Sequence, residues 1–220
     1  MQCRCESLQN PRLVNIAEDY AAWKALGPGG LPANMVGWAI TEILTPLGRD
    51  PLTVRGVDAA SSAWELPTRP GPRPSVASYP IPHRQLNGIA PGGPVSMFDV
   101  LESCARADSD RLYLGTSHFE KRGQALYVVA EARRPGVVRQ AGGEIAHVHP
   151  SDGSLHVVAQ HGDAQRIIDA GWGELHPLAG RPPIGLPEPY VLLYSPRDRH
   201  DVEQITRILY RIVETAVSTG

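Results

Sequence analysis

Cysteine is scarce in this chain of 220 residues: Cys3, Cys5 and Cys104 are an odd number, and the first two are one residue apart. Such a set builds no disulfide framework, so a small secreted scaffold is excluded and a reducing compartment is expected. Long apolar runs are also missing. The longest stretch, residues 35–47, is interrupted by Thr41, Glu42 and Thr45 and falls short of the ~20 residues that a bilayer span requires. Residues 1–6 show no basic start followed by an apolar core, so no secretory leader is read and a cytoplasmic protein is expected. There is no surplus of one charge either. With 21 basic and 23 acidic residues, the chain lacks the positive excess that neutralises phosphates, which excludes nucleic acid as the expected partner. No Walker loop, dinucleotide fingerprint, nucleophile elbow or paired Cys-x-x-Cys is present, so no nucleotide cofactor is read.

What the chain does have is proline and glycine. Its 21 prolines and 22 glycines are about a fifth of all residues, against a usual combined share of ~12%, so much of the backbone must be ordered loop. A hydrophobic fraction of 42% still supplies a core, and the length suits one large domain better than two.

Asn10-Pro11 reads as the start of a first helix, with Leu13, Ile16, Tyr20 and Trp23 on one face and Gly27-Pro28-Gly29-Gly30 as its stop. Asn34 caps a second helix to about Leu47, whose apolar residues cover more than one face, as in a helix wedged between other elements. Residues 48–94 then carry nine prolines, and no helix survives that density. The centre of this segment, Arg69-Pro70-Gly71-Pro72-Arg73-Pro74, favours polyproline II. It reads as a structural strap, a ligand-covering flap or a partner motif, and nearby Trp64, Tyr79 and Ile81 are able to pack back.

From Val95 the pattern becomes that of a compact α+β unit. A helix is expected from Ser96 to Ala107 and a hairpin from residues 111–118 and 124–132. Two further strands at 144–149 and 154–160 flank Pro150-Ser151-Asp152-Gly153. Asp163 caps a short helix that Gly171 ends, residues 190–195 form a buried strand, and a last helix runs from Asp198 to Val217 with Val202, Ile205, Leu209, Ile212 and Ala216 on its buried stripe. The expected architecture is a mainly antiparallel sheet covered by helices, with residues 1–94 (N-terminal helices and proline-rich strap) packed on residues 95–220 as one folding unit.

Five of the eight histidines fall between residues 145 and 177. On a strand, residues two apart share a face, so His147 and His149 point the same way, together with Ile145. A two-residue Asp152-Gly153 turn sets His149 opposite His156, and a four-residue loop sets His147 opposite His156. Either register gathers three imidazoles, because paired β-carbons lie ~5 Å apart. Such a set can ligate one divalent metal ion through His147, His149 and His156, with His176 or water completing the shell, or can do acid/base work without metal. Glu144, Asp152, Ser154 and Glu174 are candidates to orient the rings, although strand alternation sends Glu144 to the opposite face unless a bulge intervenes. Trp172, between two glycines, reads as a core plug or a ligand platform, so Trp172, Glu174 and Arg73 are candidate substrate contacts beside the catalytic candidates His147, His149, His156 and His176.

In order along the chain, Asp19-Tyr20-Ala21-Ala22-Trp23, Leu26-Gly27-Pro28-Gly29-Gly30, Gly71-Pro72-Arg73-Pro74, Glu144-x-x-His147-x-His149, Gly153-Ser154-x-His156, Gly171-Trp172-Gly173-Glu174-x-His176-Pro177-Leu178 and Tyr190-x-x-x-Tyr194-x-Pro196-Arg197 resemble the luciferase-domain proteins. This chain has Leu175 where the family pattern leads one to expect arginine. The resemblance implies an accessory or specialised-metabolism protein and draws attention to the histidine segment, without supplying a reaction. The expectation is a small-molecule enzyme with a histidine-lined pocket, a tailoring isomerase, lyase or oxygenase. The alternative is a non-catalytic ligand-binding or scaffold protein that uses the same cleft or the proline-rich segment.

Overall fold

The computed structural model describes residues 15–56, 64–93, 95–130, 135–182 and 184–217. Cys3, Cys5 and the helix start read at Asn10-Pro11 lie outside them. The first described helix is α1 (Ile16–Ala25), and Asn15 caps it by accepting from the Ala17 N–H. Asn34 caps α2 (Met35–Leu44) through the Val36 and Gly37 N–H groups, as expected, and Pro46 falls in a 3₁₀ turn over Thr45–Leu47 instead of continuing the helix.

The sheet unit begins with α3 (Phe98–Ala107). Strands β1 (Leu112–Thr116) and β2 (Gln124–Val128) follow, then the short helix α4 (Gly136–Gln140), β3 (Glu144–Val148), β4 (Leu155–Val158), α5 (His161–Asp169), β5 (Gly173–Leu175), β6 (Tyr190–Leu193) and α6 (Arg199–Val217). All six strands pair antiparallel in the order β1-β2-β3-β4-β6-β5. The fold is α+β. Asp163 is not the cap of α5. The helix starts two residues earlier, and the Asp163 carboxylate is buried against Arg211 of α6, 2.9 Å away.

One face of the sheet is apolar. Leu126, Ala146, Val148, Leu155, Val157, Val191 and Leu193 pack there against Leu101 of α3, Ile167 and Ile168 of α5, and Ile205, Ile208, Leu209 and Ile212 of α6. The 3.6-residue period of α6 and the alternation of the strands produce this layer directly. Its driving force is the removal of apolar surface from water.

The other face carries the histidines and is covered by the proline-rich segment. That segment is tied to the sheet unit at several points. Arg69 N–H donates to the Ala170 carbonyl (2.8 Å), Arg73 binds the Gly173 and Ile168 carbonyls, and Trp172 Nε1 donates to the Pro67 carbonyl (2.6 Å). Residues 75–86 fold back on themselves through a bridge between Val76 and Gln85, and the Gln85 N–H donates to Asp152 (2.8 Å). The helices α1 and α2 lie beyond this strap. Trp23 and Thr41 both donate to the Ile81 carbonyl, at 2.7 and 2.6 Å. Gly37 lets the Pro32 carbonyl pack against the first turn of α2, since a β-carbon there would clash with it.

Candidate functional site

His147 lies directly opposite His156 in the β3–β4 pair, and the His149 N–H donates to the Ser154 carbonyl (2.8 Å), so the connection is the four-residue loop. The three side chains then share a face with Tyr190 of β6, whose ring stacks on His156 at a centroid distance of 4.6 Å. A β-bulge alters the start of β3. Leu126 pairs with Ala146 but Tyr127 pairs with Glu144, leaving Ile145 as the extra residue. Ile145 therefore joins the helix-side core, contrary to simple alternation, and Glu144 turns onto the histidine face. There its Oε1 sits 2.6 Å from His147 Nδ1.

Each of the three rings is held from behind. Glu144 accepts from Ser117 Oγ, the His118 N–H and Tyr127 Oη as well as from His147. Burial works against its ionised form, but the His147 bond and the surrounding donors hold its carboxyl below the usual range. His149 Nδ1 is 2.8 Å from Ser154 Oγ, whose own proton goes to Asp152 Oδ1 (2.8 Å), so the serine oxygen accepts from the ring. His156 Nε2 is 3.2 Å from His83 Nδ1, and His83 Nε2 is 3.4 Å from Glu174 Oε1. Tyr194 Oη donates to the other oxygen of Glu174 (2.8 Å).

With the outer nitrogens so engaged, the inner ones carry lone pairs, and these face one another. His147 Nε2 is 3.2 Å and His156 Nδ1 3.0 Å from His149 Nε2. Glu120 Oε1 lies 3.7 Å from His149 Nε2 and 4.0 Å from His147 Nε2. The Glu120 carboxylate is gripped through both oxygens by Arg84, at 2.9 and 3.2 Å, and Arg84 also donates to the Pro28 carbonyl. The donor atoms of Glu120, His147, His149 and His156 fall within 4.8 Å of one another. Burial, and then neighbouring charge, keeps His149 and His156 well below the ordinary histidine range, so both are neutral near pH 7.

His176 is brought close but is turned differently. Its Nδ1 accepts from the Leu178 N–H (3.1 Å) and the Pro80 carbonyl bonds the ring. With both nitrogens engaged, it packs edge-on to His83 as a wall rather than pointing at the other three. His83, His156 and His176 form a second buried histidine group. Arg73 and Trp172, two of the residues singled out as substrate contacts, do not line the cavity described below. Arg73 anchors the strap, and Trp172 is fully buried in the helix-side core.

The histidine face opens into a cavity of about 590 Å³. His83, His156, His176 and Glu120 form its polar end, and Leu31, Ile40, Leu44, Ile81, Phe119 and Leu186 form most of the rest. Sequence reasoning missed Glu120, His83 and Arg84. Glu120 lies in a segment legible only as a hairpin turn, and His83 and Arg84 follow Pro82 in the low-periodicity strap.

The luciferase domain family matches residues 142–211, the segment from β3 into α6. Over 217 residues, covering 92% of this chain and 80% of the relative, the chain is 28% identical to a protein named luciferase from Neonothopanus nambi. A luciferase from Armillaria ostoyae and one from Armillaria mellea are each 28% identical over 211 residues, 88% of this chain and 79% of theirs. No solved structure matches the chain significantly. Domain match and relatives together show the resemblance to the luciferase-domain proteins that the motifs imply.

Proposed function

We propose that the chain is a luciferase-like small-molecule enzyme whose cavity ends on a single divalent metal ion held by His147, His149, His156 and Glu120. One observation carries the reading: the ring nitrogens His147 Nε2 and His156 Nδ1 both face His149 Nε2, at 3.2 and 3.0 Å. A neutral His149 Nε2 has one lone pair and no proton to share, so two ring nitrogens against it are poorly satisfied by hydrogen bonds alone. A cation at their centre resolves this. Tetrahedral Zn–N bonds of ~2.0–2.1 Å place their nitrogens about 3.3 Å apart, close to the spacing here. Glu144, the Ser154–Asp152 pair and the His83–Glu174 pair fill the role of outer partners that fix the ring tautomer in histidine metal sites.

Of the reaction classes open from the sequence, isomerase, lyase and oxygenase, the relatives' name favours the oxidative one. The cavity walls select a largely apolar substrate of modest size, with its polar, reacting end toward Glu120 and His156. Dioxygen is the electron acceptor in this reading, and Tyr190 and His176 exclude water from the reacting end. A place in specialised metabolism fits such an enzyme.

Elemental analysis of untagged protein tests the metal, and oxygen uptake with a panel of apolar phenolic and enolic compounds tests the reaction. About one metal ion per chain is expected, absent in His147→Ala. Substoichiometric metal, with thermal stability unmoved by Zn²⁺, Fe²⁺ or Mn²⁺, overturns the metal centre. Saturable ligand binding without turnover supports the non-catalytic alternative instead.

A further inference from the structure

A second cavity of about 350 Å³ lies on the far side of His176, which lines both. Its walls bring together Arg49, Arg55 and Arg181, with Leu175 as an apolar side and Glu188 at one edge. Three guanidinium groups on one small cavity repel each other, and the carboxylates present do not cancel them. Asp50 is also on the wall, but its two oxygens already accept from the Leu52 N–H (3.0 Å) and Thr53 Oγ1 (2.8 Å) of its own turn. Glu188 makes one contact with Arg49, at 3.3 Å.

Arg49 is the most enclosed of the three. Its side chain is 19% exposed, its Nη2 reaches the Gly180 carbonyl only at 3.4 Å, and its Nε is buried with no hydrogen-bond partner among the described residues. Burial, and then Arg55 and Arg181, disfavour its charged form, against Glu188 alone. Arg181 donates through Nε to the Leu47 carbonyl (2.7 Å), and neither of its terminal nitrogens has a partner among the described residues. Arg55 is exposed and likewise has no partner there. Buried guanidinium donors are normally satisfied, and planar carboxylates and phosphates are what their fork geometry matches.

We propose that Arg49, Arg55 and Arg181 form a binding site for the oxyanion group of a small molecule, a phosphate or a carboxylate, distinct from the histidine-lined cavity. The bound oxyanion supplies partners to the terminal nitrogens of Arg181 and to Arg55 and offsets the repulsion that bears on the enclosed Arg49. The apolar wall at Leu175 suits an anion carried on an organic body, and the wall shared at His176 places that body against the back of the histidine site. The inference does not rest on the metal reading, since none of the three arginines is a proposed ligand of the ion.

The test uses the full chain at low ionic strength, titrated separately with inorganic phosphate and with benzoate, and with sodium chloride at matched ionic strength. Saturable calorimetric heat and a rise in melting temperature are expected for at least one oxyanion, beyond the effect of chloride. A carboxylate source is indicated if benzoate is the tighter of the two, and a phosphate source if phosphate is. Arg49→Gln and Arg181→Gln are each expected to weaken binding by about tenfold or more. In the absence of anion, Arg181→Gln is expected to leave the melting temperature unchanged or to raise it, because it removes a like charge; a purely structural arginine would lower it. Equal responses to chloride and both oxyanions, or undiminished binding in Arg181→Gln, overturn the proposal even if Arg49→Gln does not fold.

Discussion

Glu144 and His147 are three residues apart on one strand, where alternation assigns them to opposite faces, yet Glu144 Oε1 and His147 Nδ1 are 2.6 Å apart. The bulge at Ile145 is the cause. It adds a residue to β3 and rotates the carboxylate onto the histidine face, at the cost of one regular ladder pair. A structural carboxylate in this place would only need to be buried and paired. This one also aims the ring, because His147 must present Nε2 forward when Nδ1 donates backward.

Glu144→Gln is the sharpest probe of that arrangement. The amide keeps the volume but offers one acceptor atom in place of two, and the Ser117, His118 and Tyr127 donors compete for it. We expect a loss of about 1–3 kcal/mol in unfolding free energy from the unsatisfied buried groups. We also expect about 10–100-fold weaker metal binding, the usual cost of removing an outer partner. Chemical denaturation and a metal-buffer titration measure the two separately. A variant as stable as the parent, with unchanged metal affinity, contradicts the assignment.

Acid should destabilise the protein from the histidine range downward. His149, His156 and His176 remain neutral when folded, with protonation pushed well below the ordinary histidine range by burial and then by neighbouring charges. The unfolded chain takes up these protons at about pH 6.5, so below that pH the unfolded state binds more protons and is favoured. Stability is therefore expected to fall as pH drops below 6.5, and the His156→Gln variant should show a shallower slope. A flat profile between pH 6.5 and 5 refutes this.

Much of this site was readable in advance, and the reasons for the rest are physical. The His147, His149 and His156 face follows from the two-residue period of a strand and a short loop, both local properties. The buried stripe of α6 follows equally from its helical period, and Ile205, Leu209, Ile212 and Ala216 are all buried. Glu120, Arg84 and His83 come together only through tertiary packing, since Arg84 reaches Glu120 across 36 positions of sequence. Strand β5, at three residues, is too short to show a period. Its close approach to β6 is made by Gly173, where a β-carbon would meet the Leu192 carbonyl.

A second pH effect should arise where the strap meets α6. Burial opposes ionisation of Asp201, but Arg197, bonding through its side chain and its backbone N–H, and then Arg69 hold its carboxyl below the usual carboxylate range. Arg197 Nε is 2.6 Å and Arg69 Nη2 3.7 Å from the carboxylate. Arg69 belongs to the proline-rich segment, so this ion pair links it to the last helix. The contribution is present above about pH 4, where Asp201 is ionised in both states, and is lost as pH falls through its folded value. Asp201→Asn should cost about 3 kcal/mol by leaving the buried Arg69 uncompensated, and should flatten the acid limb of the stability curve below pH 4. We propose that strap and sheet unit fold together, so the same variant should lower one cooperative transition; a separate early transition for residues 64–93 would contradict that.

Trp172 decides between a structural plug and a ligand platform. Its ring is fully buried on the helix side of the sheet, Nε1 donates to the Pro67 carbonyl at 2.6 Å, and the Arg69 guanidinium lies 5.9 Å from the ring centroid. Substitution by phenylalanine keeps an aromatic ring but removes the donor and part of the volume. The Pro67 carbonyl then loses its partner and a small void opens beside α5, together worth about 2–3 kcal/mol. Because the residue does not line the histidine cavity, Trp172→Phe should leave metal content unchanged while it lowers the melting temperature and speeds proteolysis of the strap. Unaltered stability combined with loss of ligand binding would reverse the assignment and put Trp172 at the substrate.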